Sequence, residues 1–282
     1  MLVGKLETRV ITGPSYTALN SRQQKPSNFA RNLLVSTTQA AELSFNPYPN
    51  PPMTPTNLEA TPCKSVQELL ERYSAIAYDK QNDLFEVIGE NDWSFDMAAG
   101  TISFGPALVF PVQILGTFSH SSESWLWAWA NTQSGIPKQL LEQALQLKAY
   151  GEQQEIDLLK HDAVDAEEDD LHLIGAIASG MFDASGYYLA DYGQGVMLIT
   201  VKSPLIDQHR KHDVARLLHA FPEAISFYEM HHRPAFISYA TLKGYTVAEQ
   251  ADTVTATGAG GSLTATFDDL GRLSNLTGSS GK

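Results

Sequence analysis

The sequence predicts one α+β domain of antiparallel sheet with several packed helices, preceded by a disordered N-terminal tail. Three observations carry that expectation. An amphipathic helical stripe opens at Ser65, the hydrophobic period shortens to that of a strand after Gly89, and the chain ends in short alternating runs punctuated by glycine. The tail is read as residues 1–62 and the globular domain as residues 63–282.

The tail holds eight of the fourteen prolines, including the run Asn46-Pro47-Tyr48-Pro49-Asn50-Pro51-Pro52. Proline removes a backbone donor and turns the residue before it away from helix, so this stretch reads as extended, polyproline-like chain. Its apolar content is too thin to offset the entropy of ordering it.

The domain opens on Ser65-Val66-Gln67-Glu68, a capping box in which hydroxyl and carboxylate satisfy orphan N–H groups of the first turn. Val66, Leu69, Leu70, Tyr73, Ile76, Ala77, Leu84, Val87 and Ile88 then form one stripe, and Gly89 can stop the helix. Trp93-Ser94-Phe95-Asp96 and Thr101-Ile102-Ser103-Phe104 alternate around Ala99-Gly100, which predicts a hairpin. Residues 108–117 and 124–130 read as two further strands. Pro137 suits the first turn of a helix continued by Leu140, Leu141, Ala144, Leu145 and Leu147. The acidic stretch 162–170 favours the start of a helix over 171–181, whose Gly175, Ala176, Ala178, Ser179 and Gly180 allow a neighbour close. A hairpin turning at Gly193-Gln194-Gly195 follows, then helices near 207–220 and 233–243. Strands around 245–249, 252–257, 262–267 and 272–276 complete the chain.

Trp125-Leu126-Trp127-Ala128-Trp129-Ala130-Asn131 holds three of the four tryptophans. Alternation along a strand places the indoles on one face and the aliphatic residues on the other. Neither face is polar, so the strand reads as covered on both sides. A row of indoles could also line a groove for a ligand or partner, which makes Trp125, Trp127 and Trp129 candidate binding residues.

The chain carries a net charge of −13 and a pI near 4.9. That balance argues against nucleic acid as the main partner, which needs basic patches, and leaves a basic protein as the partner an acidic surface would steer and hold. The stretch 152–170 is the densest in carboxylates, and Glu167, Glu168, Asp169 and Asp170 are its candidate binding residues. The apolar runs are too short to span a bilayer, and no membrane association is expected. Cys63 is the single cysteine, which excludes an internal disulfide and a cysteine-based metal cluster and fits a cytoplasmic location.

Candidate chemistry is sparse. His209, His212 and His219 fall within the helix expected at 207–220, at spacings that can bring them near one face, with Asp207, Asp213 and Glu223 close by. The same helix already has Val214, Leu217, Leu218 and Phe221 as its buried stripe, so the histidines read as solvated and no metal is assigned. Gly258-Ala259-Gly260-Gly261 is followed by a strand-like run, which fits a hairpin turn rather than a phosphate loop. No catalytic motif emerges, and no cofactor is expected.

The 65–89 helix, the 93–104 hairpin, the tryptophan strand and Phe267-Asp268-Asp269-Leu270-Gly271-Arg272-Leu273 together resemble a bacterial domain family of unknown function, number 6882, over about residues 65–278. The resemblance implies a single α+β domain and names no catalytic residue. By analogy such small acidic domains act as immunity-type or adaptor proteins masking a basic partner. The leading expectation is thus non-catalytic protein binding. The alternative is a small-molecule-binding protein or hydrolase with a pocket beside the indole face and the histidine-bearing helix.

Overall fold

The computed structural model describes residues 11–13 and 61–281. The expectation of a disordered tail falls on residues outside these, apart from Ile11–Gly13 and residues 61–62. The first part of the chain forms β1 (Ile11–Gly13), α1 (Val66–Ile88), β2 (Trp93–Asp96), β3 (Thr101–Phe104), β4 (Leu108–Ser119) and β5 (Ser124–Trp127). The middle adds α2 (Glu142–Gln154), α3 (Asp157–Lys160), β6 (Ala163–Asp165), α4 (Asp170–Met181), β7 (Gly186–Asp191) and β8 (Gly195–Val201). The last third holds α5 (Pro204–Asp207), α6 (Val214–Phe227), α7 (His232–Leu242), β9 (Thr246–Glu249), β10 (Thr253–Gly258), β11 (Gly261–Phe267) and β12 (Leu273–Ser280). The fold is α+β with antiparallel sheets, as the period changes predict.

The capping box closes as expected at one end and slightly differently at the other. Glu68 N–H donates to Ser65 Oγ at 3.1 Å, while the Glu68 carboxylate accepts from the N–H of Lys64, one residue before the cap. Gly89 ends α1 at φ 55° with its N–H on Phe85 O.

The long β4 organises the first sheet. Its first residues pair with β3, and its second half runs between β5 and β8. A bulge between Ile114 and Gly116 bends it as it passes from one set of partners to the other. Gly116 is dictated by packing: a Cβ there would lie 2.3 Å from Trp125 Cζ2 and 2.5 Å from Leu126 O. β7 extends the sheet beyond β8, and β6 extends it beyond β5. The four-stranded second sheet runs β12-β11-β10-β9.

α1 lies between the two halves. It packs against α4 and β7 on one side and against α5, α6 and α7 on the other, and α6 and α7 rest on the second sheet. One continuous hydrophobic cluster runs from Cys63 to Phe267. Over its middle turns α1 is covered on several sides, so Asp79, Lys80, Gln81 and Asp83 are buried along with the apolar stripe.

Three expected elements shift. The helix expected from Pro137 starts as a single 3-10 turn, Lys138–Leu140, ahead of α2. The tryptophan strand stops at Trp127, where the N–H groups of Ala130 and Asn131 turn back onto Trp127 O, so Trp129 leaves the strand. The helix expected at 207–220 is two elements. Ser203 caps α5, with Pro204 in its first turn, and Asp213 Oδ1 accepts from Arg216 N at 2.8 Å to start α6 afresh. Residues 208–213 form the connection between them.

Candidate functional site

The buried polar residues of α1 build two linked ion-pair groups. In the first, Asp79 is the hub. Arg216 Nε of α6 donates to Asp79 Oδ1, while Tyr239 Oη donates to Oδ2 at 3.0 Å and Lys243 Nζ to the same oxygen at 2.6 Å. Arg216 Nη2 also reaches Asp83 Oδ1 at 2.7 Å and the Asp79 carbonyl at 2.8 Å. Lys243 Nζ donates further to the backbone oxygen of Lys211. Both partners of the Lys243–Asp79 pair are almost fully buried, at 3% and 2% side-chain exposure, so neither charge has water to fall back on.

The second group centres on Asp183, in the turn after α4. Lys80 Nζ of α1 lies 2.7 Å from its Oδ1, Lys202 Nζ 3.2 Å from Oδ2, and Arg210 Nη1 3.3 Å from Oδ1. Asp207 then bridges Lys202 at 3.1 Å and Arg210 at 2.7 Å. Asp183 adopts φ 46°, a left-handed backbone that aspartate tolerates better than most residues.

Between the two groups lies a cavity of about 280 Å³, lined by Asp79, Lys80, Asp83, Asp183, Arg210 and Lys243 with His212 nearby on its wall. His212 is exposed and Arg210 partly so, whereas the α1 residues are buried, which places the opening on the side of the 208–213 connection.

Burial shifts the titration of this region. It pushes the Asp83 carboxyl up to about 6, helped by the neighbouring Asp79 charge and opposed by Arg216. It draws the Lys80 ammonium down to about 8, against the attraction of Asp183. Burial alone would also raise Asp183, but Lys80, Arg210 and Lys202 together hold it down to about 2. The signs differ in consequence. Asp83 binds its proton more tightly in the folded state than at its ordinary 3.8, so its contribution to stability falls as pH rises through that value towards about 6. Asp183 contributes stability that is present above 3.8 and lost as pH falls towards about 2. Urea melts of the native chain and Asp83→Asn across this range are therefore expected to show the native chain's relative stability declining with rising pH. A difference that grows with pH would contradict the burial of Asp83.

A second region is assembled at one end of the first sheet. His120, in the β4–β5 turn, places Nδ1 3.8 Å from Glu168 Oε2 and Nε2 3.7 Å from Asp191 Oδ1, and its N–H donates to Gln194 O. Asp165 pairs with Ser124 across β5 and β6, and Ala166 N donates to Glu123 O. Glu123, Asp165, Glu167, Glu168, Asp169, Asp170 and Asp191 are all exposed. The acidic run also starts α4, since Asp170 Oδ2 accepts from Glu167 N at 2.8 Å. The predicted carboxylates thus meet Glu123 and Asp191 from other segments, with Asp165 from their own stretch.

The predicted indoles fall elsewhere. Trp125 and Trp127 are fully buried and meet edge to face at 5.4 Å, so these two cannot form a binding platform and serve as core. The cause is coverage on both faces: Gly116 gives Trp125 its space, and Trp127 Nε1 donates to Leu158 O at 2.9 Å. Trp129 is half-buried, with Lys148 Nζ 3.9 Å from the centre of its ring. The histidine set also separates. His209 and His212 lie in the connection before α6, His219 lies on α6 facing Glu223, and among the described residues no group of three or more His, Cys, Asp or Glu is placed to hold a metal ion. Among the described residues, one cavity is lined by ion pairs and has His212 of that set on its wall.

The segments on which the sequence resemblance rests are the helix α1, the 93–104 hairpin, the tryptophan strand and Phe267–Leu273. Residues 67–202 match the family of unknown function DUF6882. The DUF6882 stretch runs from α1 through β8, so it ends before the Phe267–Leu273 segment and before α5 to α7 and the second sheet. The acidic end of the first sheet lies wholly inside it, whereas Arg210, Arg216, Tyr239 and Lys243 of the ion-pair groups lie outside. No curated protein and no solved structure matches the chain. Among the described residues no helix is long and apolar enough to cross a membrane.

Proposed function

We propose that this protein binds a basic protein partner through the acidic end of its first sheet. The supporting observation is a set of seven exposed carboxylates in three segments, of which Glu168 and Asp191 face His120, in stretches that contain no lysine or arginine between 118 and 124, 163 and 172, or 186 and 201. A field of one sign on a single face steers an oppositely charged partner and raises its association rate. Tyr192, 38% exposed at the tip of the β7–β8 hairpin beside Asp191, supplies an aromatic contact within this charged rim. Binding of this kind needs no catalytic residue or cofactor.

The test is titration with a short oligolysine peptide at low and physiological salt. Changing Glu167 and Glu168 to glutamine and Asp169 and Asp170 to asparagine keeps the capping oxygen of residue 170 while removing four charges. Affinity is expected to fall about tenfold or more at low salt and to show a weaker salt dependence. Neutralising four exposed carboxylates elsewhere, Asp92, Glu229, Asp252 and Asp269, serves as the control. Equal losses in the two variants would mean that net charge alone attracts the peptide, and the proposed face would be withdrawn.

A further inference from the structure

We infer that the cavity beneath the 208–213 connection is a binding site for a small oxyanion, a carboxylate or phosphate group on a small molecule. The argument rests on an imbalance of donors and acceptors and is independent of the acidic end of the sheet.

Five cations, Lys80, Lys202, Arg210, Arg216 and Lys243, meet four carboxylates, Asp79, Asp83, Asp183 and Asp207, in the two linked groups. The excess belongs to the two groups as a whole, since the cavity wall itself carries Lys80, Arg210 and Lys243 against Asp79, Asp83 and Asp183. The acceptors are also used up faster than the donors. Both oxygens of Asp79 and both oxygens of Asp183 already receive hydrogen bonds. An ammonium carries three donors and a guanidinium five. Lys80 Nζ donates to Asp183, and Lys243 Nζ donates to Asp79 and Lys211 O, which leaves donor capacity at both. Arg210 Nε is buried and has no hydrogen-bond partner, although the Arg210 side chain lines the cavity. A buried N–H without an acceptor is costly, and an anionic oxygen is the group that satisfies it while also balancing the charge.

Size limits the ligand. A volume of about 280 Å³ lies just below the range for drug-sized pockets, on the order of 300–1,000 Å³. It suits a ligand of a few carbon atoms and excludes a nucleotide. The remaining carboxylates on the wall disfavour a ligand with several negative charges packed together. An anion with one or two charges, entering past His212 and stopping between Arg210, Lys80 and Lys243, matches the size and the unfilled donors.

Calorimetric titration with inorganic phosphate and, separately, with succinate tests this, with ionic strength held constant by sodium chloride. At least one of the two is expected to bind the native chain saturably at a single site. Phosphate alone would assign a phosphate ligand, and succinate alone a carboxylate. Arg210→Gln is expected to weaken that binding about tenfold or more, and Arg210→Lys, which keeps the charge but loses Nε, to weaken it less. Lys211→Gln, an exposed neighbour paired with Glu86, is expected to leave it within about twofold. Melting curves show whether each variant is folded, and the conservative lysine variant carries the test if the glutamine variant is not. Saturable binding by neither anion overturns the proposal, as does binding that Arg210→Gln and Arg210→Lys both leave unchanged.

Discussion

Asp79→Ala is expected to cost about 3–5 kcal/mol of stability, the size of loss seen when one member of a buried ion pair is removed. The reason is what remains behind. Arg216 and Lys243 keep their charges and lose the carboxylate that both of them reach, and Tyr239 loses the acceptor of its hydroxyl. Asp83 can still hold one edge of Arg216, but nothing replaces Asp79 for Lys243 beyond the Lys211 carbonyl. Tyr239→Phe removes only one hydrogen bond and is expected to cost about 1 kcal/mol. Urea unfolding measures both. An Asp79→Ala loss below about 1 kcal/mol would mean that water reaches these charges and that α1 is not enclosed on its polar side.

Trp127→Ala is expected to destabilise by a similar amount, about 3–5 kcal/mol, through a different cause. Its indole is fully buried against Trp125, and its N–H is held by Leu158 O at 2.9 Å. Truncation leaves a cavity and an unsatisfied carbonyl between β5 and the α2–α3 region. Trp127→Phe retains most of the apolar area, so it should lose distinctly less. A melt showing less than about 1 kcal/mol lost on truncation would place this indole at the surface and restore it as a binding residue.

The two variants mark what the sequence reveals and what it hides. Trp127 reads as core because a strand with apolar residues on both faces has no wet side, and the structure covers it accordingly. The capping box, Gly89 and the Gly193-Gln194-Gly195 turn act locally, and each forms where its residues place it. Asp79 is different. A stripe analysis of α1 assigns its polar residues to solvent, since helical periodicity reports which face is apolar and not whether the opposite face is also covered. Coverage comes from α6 and α7, more than a hundred residues further along the chain, and their Arg216 and Lys243 carry no local sign of their partners.

The candidate sites divide along the same line. Glu167 to Asp170 stand out in the sequence as a run and remain exposed in the fold. Glu123 and Asp191 join them only through the β4–β5 and β7–β8 turns meeting at His120. Asp213, which the sequence places only as a carboxylate close to the histidines, is the cap that starts α6. That signal was present: an aspartate three residues before Arg216 and ahead of an apolar stripe is a helix start.

The central claim is that partner binding belongs to one acidic face. Backbone amide chemical-shift mapping during titration with the oligolysine peptide tests it most directly. The account predicts shifts concentrated at residues 120–124, 165–170 and 191–194, fading as salt is raised. Shifts spread evenly over the exposed carboxylates, or centred on the second sheet, would contradict it.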